Sequence, residues 1–156
     1  MGIIYKTSAT ATHEGRSGSA RSHDGLLEVN LAMPKELGGM GGATNPEQLF
    51  ACGYAACFTS ALLLCARESK LKIGAPQVTV HTGLESAPDG KFQLFAGLDV
   101  ALPDASREDA ESVTRAAHGI CPYSRATRNN LDVQVRLVAW KGSDGAPAAV
   151  LEAAGA

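Results

Sequence analysis

Four cysteines, at positions 52, 57, 65 and 121, carry the chemistry this sequence invites most directly. Thiols bind zinc, form disulfides or act as nucleophiles. Structural zinc asks for close pairs such as C-x-x-C, and no two of the four are spaced that way. On a straight helix Cys52 and Cys57 point about 140° apart, so one ion cannot take both. Metal chemistry is therefore not expected. Free cysteine is first of all a small core hydrophobe, and that reading is given to Cys65, inside LLLCA, and to Cys52. Cys121 stands differently. It follows a helix end at Gly119-Ile120 and precedes Pro122, a residue suited to the first position of a new helical turn. A helix N-terminus favours the thiolate, and His118, three residues earlier, either assists it or caps the outgoing helix. Residue types alone leave Cys121 open between a reactive and a structural thiol. Cys57 is open too: an apolar helix raises its pKa and makes it inert unless a cation reaches it. Arg16, in an N-terminal turn, is the candidate cation.

The elements that must position these groups follow from periodicity. Tyr5, Thr7, Ala9 and Ala11 alternate with polar residues as in a half-exposed strand. A turn over Glu14–Gly18 carries Arg16, a second turn spans Ser22–Gly25, and Leu27, Val29 and Leu31 mark another strand. The Gly-rich stretch PKELGGMGGATNPEQ is longer than a hairpin turn and of a length more often functional than idle. It leads into a helix with Asn45 as N-cap, Pro46 at N1 and Glu47 in the first turn. That helix is expected to reach about Ser69, with Gly53 as a possible break. Strands at 78–84 and 92–102 are joined by APDG into a hairpin. Ser106 with Asp109 opens a second helix, striped by Ala110, Val113, Ala117 and Ile120. A last strand runs from Leu131 to Leu137. The order, with its hairpins, is α+β.

Composition narrows the classes. The chain has 156 residues, 45% of them hydrophobic, which suits one domain with an ordinary core. A net charge of −2 and a pI of about 6.1 offer no surface for nucleic acid or anionic membrane. The first residues do not read as a signal peptide, so a reducing cytoplasm is the expected compartment. The uncharged run from Gln48 to Ala66 nearly reaches transmembrane length. It carries Gly53, Tyr54, Thr59 and Ser60, and is read as a core helix. The Ala/Gly/Pro-rich tail, 142–156, is expected to be loose, leaving 1–141 as the single domain.

The motifs TNPEQLFACGYAACF and AHGICPYSRATRNN, with the opening ATATHEGRSGSARSHDG, resemble the organic hydroperoxide resistance proteins of the OsmC-like group. The likeness covers about residues 3–141 in the right order. It implies an α+β OsmC-like fold, with antiparallel sheets around a long buried central helix, in an intertwined homodimer. It also implies a thiol peroxidase that reduces organic hydroperoxides to alcohols. Cys57 in AACF corresponds to the peroxidatic cysteine and Cys121 in CPYS to the resolving one. Arg16 in EGRSG and Glu47 in NPEQ correspond to the pair that hydrogen-bonds around the reactive thiol. The implied reductant is an external dithiol, the dihydrolipoyl group of a carrier protein, with no bound cofactor. Three departures stand out: Cys52 where Ala is usual, a Gly-rich loop one residue shorter, and Asn129 where Gly is common.

The implied chemistry is physically sound. A thiolate attacks the O–O bond, and because only a few per cent of a free thiol is ionised at pH 7, full ionisation gains about 30-fold. Further acceleration needs hydrogen bonds aimed at the transition state, which Arg16 held by Glu47 would supply. Ten residues of straight helix separate Glu47 from Cys57 by about 15 Å. Either Gly53 breaks the helix, or Arg16 and Glu47 come from a partner subunit. Met40, Leu49, Phe50 and Phe58 suggest an apolar pocket, though core is the first reading for most of them. The competing readings are an OsmC-type peroxidase with other substrates, a lipid- or small-molecule-binding protein with structural thiols, and a thiol redox sensor.

Overall fold

The computed structural model describes residues 2–12 and 14–151. The chain divides into two compact units, Met1–Leu49 and Phe50–Ala156. The first is built on a three-stranded antiparallel sheet of β1 (Ala9–Thr12), β2 (Ser19–Ser22) and β3 (Glu28–Asn30), in that order. The alternation begun at Tyr5 becomes a strand only at Ala9, and every residue of β1 is exposed. Short exposed strands bury little, and Leu31 is the one buried side chain among the described residues of this unit. Between β1 and β2 a 3-10 turn, Gly15–Ser17, carries Arg16. Gly15 enters it at φ +57°, a left-handed conformation that glycine adopts without strain.

α1 spans Pro46–Glu68. The Asn45 side chain accepts the Gln48 N–H at 2.9 Å, the expected N-cap. The helix continues through Gly53 without a break. Gly53 serves a close approach instead: a Cβ there would lie 2.8 Å from the Tyr123 hydroxyl. Among the described residues α1 is the one helix long and apolar enough to cross a membrane. In this fold Tyr54, Phe58 and Leu62 lie fully buried within one core cluster. The expectation of a helix buried all round is not met within the single chain. Cys52, Ala56, Ser60 and Leu63 form an exposed stripe at helical spacing.

The second unit's sheet has the order β4 (Gln77–Ser86), β5 (Phe92–Leu102), β6 (Val133–Trp140), β7 (Ala149–Leu151). The APDG hairpin pairs β4 with β5 from Gln77↔Ala101 to Ser86↔Phe92. β5 and β6 run parallel, which corrects the expected all-antiparallel arrangement. The chain crosses between them through α2 (Arg107–Ile120) and α3 (Pro122–Thr127), and a parallel pair needs such a crossover. Ser106 caps α2 by accepting the Asp109 N–H at 3.1 Å. Ala110, Val113 and Ala117 bury as the stripe requires, while Ile120, at the last turn, stays exposed. Within the tail, residues 149–151 form a strand. β7 pairs antiparallel with β6, and Leu151 is buried in the core. Residues 152–156 lie outside the described range. Leu98, Val100 and Leu102 of β5 and Leu137 of β6 meet α1 and α2 in the core. On the other face Asp99 accepts two bonds from Arg136, at 2.7 and 2.8 Å, and one contact at 3.0 Å from His81.

Candidate active site

Two constellations carry the four residues singled out by the sequence, one in each unit. In the first, the Arg16 guanidinium donates to both carboxylate oxygens of Glu47, at 2.9 and 2.6 Å. Arg16 comes from the 3-10 turn and Glu47 from the first turn of α1, where the helix dipole favours a carboxylate. The hydrogen bonds from Arg16 hold the Glu47 carboxyl below the usual carboxylate range, against the opposing effect of burial. The same contact raises Arg16. Such a fork fixes the guanidinium plane and leaves its remaining N–H groups to point elsewhere.

In the second, Cys57 of α1 and Cys121, 64 positions later, meet. The Cys121 thiol donates to the Cys57 sulfur across 3.6 Å. A disulfide needs about 2.05 Å between sulfurs, so bonding asks for a local approach of about 1.5 Å. Cys121 is fully buried and Cys57 half-buried. Cys121 is both the last residue of the α2 frame and the residue before Pro122, the first of α3. Its N–H bonds the Ala117 carbonyl and its carbonyl accepts the Arg125 N–H, each at 2.9 Å. The backbone therefore turns at Cys121 while remaining satisfied on both sides. Burial pushes the Cys57 thiol above its ordinary value. The Tyr123 backbone, from the first turn of α3, opposes that rise, and the neighbouring Cys121 adds to it.

The helices that carry the two thiols also carry a cluster of rings. Tyr54 and Tyr123 stack at 5.5 Å, and Phe50 meets them at 5.8 and 6.0 Å. Phe58 lies 6.5 Å from Tyr54 and 6.4 Å from His118. Of the four apolar residues read as pocket or core, Phe58 is core, Phe50 packs against it, Leu49 is half-buried and Met40 is 92% exposed in the single chain. Cys65 is buried as expected, and burial raises its thiol too. Cys52 is exposed, against the core reading, because it falls on the uncovered stripe of α1. Among the described residues no three His, Cys, Asp or Glu side chains gather as metal ligands.

Sequence reasoning missed a buried polar chain beside the thiols. The Tyr54 hydroxyl and the Ser124 hydroxyl are 2.9 Å apart, and Ser124 Oγ lies 3.1 Å from His118 Nδ1. A signal was present. Tyr54 stands three residues before Cys57, and His118 and Ser124 stand three residues either side of Cys121, so all face their cysteine.

Residues 39–136 match the family described as OsmC-like protein. The chain belongs to the OsmC/Ohr family of organic hydroperoxide resistance proteins. It is 46% identical over 138 residues to organic hydroperoxide resistance protein-like 2 of Staphylococcus epidermidis, covering 87% of this chain and 96% of that one. With the organic hydroperoxide resistance protein of Xanthomonas axonopodis pv. citri it shares 44% over 137 residues, 86% of this chain and 95% of the relative. The crystal structure of an organic hydroperoxide resistance protein from Legionella pneumophila superposes with a TM-score of 0.83 at 43% identity, over 90% of this chain and 99% of that one. Within this family, the close cysteine pair supports cysteine-based peroxidase chemistry. The departure at Asn129 also has its reason: φ is +64° there, a left-handed position where Gly is the usual solution and Asn the next best.

Proposed function

We propose that the protein reduces organic hydroperoxides to alcohols with Cys57 as nucleophile and Cys121 as resolving thiol. The observation that carries this is the 3.6 Å approach of two sulfurs from distant parts of the chain. The Cys57 thiolate attacks the peroxide: an S–O bond forms, the O–O bond breaks, and the departing alkoxide takes a proton to become the alcohol. Cys57 is left as a sulfenic acid. The Cys121 sulfur then bonds Cys57, the S–O bond breaks, and hydroxide leaves with the Cys121 proton as water. An external dithiol, in our reading a dihydrolipoyl group on a carrier protein, restores both thiols by exchange.

Arg16 and Glu47 complete the machinery in this proposal. Burial raises the Cys57 thiol, so a cation is needed to ionise it. A guanidinium already held by a carboxylate is oriented to donate both to the thiolate and to the peroxide oxygens. Because α1 is unbroken, the partner-subunit alternative for this pair is the one retained, within a homodimer. The exposed stripe of Cys52, Ala56, Ser60 and Leu63 supports that assembly, as a face for a second copy to cover. Phe50, Tyr54 and Tyr123 favour apolar hydroperoxides over hydrogen peroxide, and a reducing cytoplasm suits paired free thiols.

The test is single-turnover oxidation of the reduced protein by tert-butyl hydroperoxide, a fatty-acid hydroperoxide and hydrogen peroxide, with products read by mass spectrometry. Fast, organic-selective formation of the Cys57–Cys121 disulfide is expected. Oxidation no faster than that of a free thiol would sink the proposal and favour the binding-protein reading.

A further inference from the structure

Tyr54, Ser124 and His118 form a polar chain that runs from half-buried His118 into a largely apolar core. Tyr54 is fully buried and Ser124 is 1% exposed. Buried hydroxyls cost free energy unless bonded, and apolar side chains of similar shape would fill the same space with less at stake. Each bond has a definite place relative to the thiols. His118 lies one helical turn before Cys121 and Ser124 one turn after it, so the 3.1 Å contact between them clasps the chain across the bend at which Cys121 sits. Tyr54 lies one turn before Cys57, so its 2.9 Å bond to Ser124 ties the Cys57 turn of α1 to the Cys121 side of α3. Arg128 adds a second clasp, donating to the His118 carbonyl at 3.2 Å.

One placement of the hydrogens satisfies the whole chain. Burial, with the Arg128 charge, lowers His118 and keeps it neutral near pH 7. A neutral ring protonated on Nε2 leaves Nδ1 as an acceptor. Ser124 then donates to Nδ1 and accepts from Tyr54. The Thr127 hydroxyl, whose proton is shared between the Tyr123 and Ser124 carbonyls at 3.0 and 3.2 Å, is a further hydrogen-bond partner of Tyr54 beside Ser124.

We propose that Tyr54, Ser124 and His118 are positioning residues that hold the Cys121 sulfur in line for closing the disulfide on Cys57. The inference rests on the resolving role given to Cys121 above. In the step concerned, the Cys121 sulfur bonds the Cys57 sulfur and the group on Cys57 departs. Two sulfurs that must still approach by about 1.5 Å depend on how firmly their two helices are tied. Attack of Cys57 on a peroxide needs no movement of Cys121.

The experiment separates the two steps. In a Cys52→Ser background, reduced protein is mixed with tert-butyl hydroperoxide, and sulfenic acid (trapped by dimedone) and disulfide are followed over time. In parallel, Cys57 is charged with dithionitrobenzoate, and release of the second nitrothiobenzoate reads closure by Cys121 without any peroxide. Tyr54→Phe and Ser124→Ala are expected to slow closure at least tenfold more than sulfenic acid formation, in both readouts. Ser124→Thr, which keeps the hydroxyl, and His118→Asn, which keeps an acceptor, are expected to recover most of it. Equal slowing of both steps, or an unchanged ratio in Tyr54→Phe, would overturn the proposal. So would an unsubstituted chain that releases no second nitrothiobenzoate. If peroxide fails to oxidise any variant while the nitrothiobenzoate series behaves as expected, the peroxidase reading falls and the positioning role stands.

Discussion

Replacing Arg16 tests whether the guanidinium acts on the thiol, on the transition state, or on both. Burial holds Cys57 above its ordinary value, so less than about 3% is thiolate at pH 7 without help. Restoring full ionisation is worth at least about 30-fold. A donor aimed at the charge that develops on the peroxide oxygens contributes about 3 kcal/mol, or about 100-fold. Arg16→Ala is therefore expected to slow peroxide reduction by about 3,000-fold at pH 7. The two contributions part company with pH. As pH rises through the variant's own thiol pKa, the thiol ionises unaided, and the deficit should shrink toward about 100-fold. Arg16→Lys keeps the charge but not the fork that grips Glu47 at 2.9 and 2.6 Å, and should fall between. Arg16 is 39% exposed, so the ion pair adds less than about 1 kcal/mol to stability, and thermal melts should barely move. Stopped-flow single turnovers with tert-butyl hydroperoxide from pH 5 to 10 provide the assay. A deficit that closes completely at high pH would show that Arg16 works through ionisation alone. A deficit below about fivefold throughout would remove it from the machinery.

Other expectations follow from single contacts. Cys121→Ser should leave the first oxidation within a few-fold of normal but strand Cys57 as sulfenic and then sulfinic acid, seen by mass spectrometry after excess peroxide. Asp99 is held below the usual carboxylate range by Arg136 and His81, despite the opposing effect of burial. Its contribution to stability is thus present above the unfolded value of about 3.9 and lost as pH falls through the folded one. Asp99→Asn should cost about 1 kcal/mol at pH 7 and flatten the acid side of the stability curve in urea titrations; an unchanged acid limb would contradict this. Leu151→Ala should cost about 2–3 kcal/mol in the same titrations, whereas a loosely held tail would give almost nothing.

What the sequence disclosed depended on the range of the interaction. The caps at Asn45 and Ser106 and the APDG hairpin are local, and periodicity placed them close to where the structure has them. The parallel pairing of β5 with β6 was not legible, because nothing in either strand records which neighbour it will choose. β7 was missed because three residues, Ala149–Leu151, carry no period that stands out from an Ala-rich tail. Gly53 was read as a possible break because glycine weakens helices. Its actual reason, room for the Tyr123 hydroxyl, lies 70 positions away. For the site, residue types and turns marked Cys57, Cys121 and Arg16 as candidates, and family motifs added Glu47 and assigned all four their roles. The Cys57–Cys121 contact and the Tyr54–Ser124–His118 chain needed tertiary structure, since each joins separate helices.

In the proposed function, thiol activation and assembly would meet in α1. Its buried face sets Tyr54, Phe58 and Leu62 into the core, and that burial is what raises Cys57. Its uncovered face, Cys52, Ala56, Ser60 and Leu63, is small and nearly uncharged, which suits another close-packed surface better than water. A reactive thiol cannot remain both apolar in its surroundings and protonated and still attack a peroxide at neutral pH. A second copy that covers the stripe and delivers a gripped guanidinium would meet both needs together. On that argument Ala56→Arg, which puts a charge into the stripe without touching Cys57, Cys121, Arg16 or Glu47, should yield a folded monomer with the slow chemistry of a free thiol. Sedimentation and single-turnover kinetics on the same sample decide it. A monomer with full activity would mean that one chain ionises Cys57 by itself, and the two-copy site would have to be abandoned.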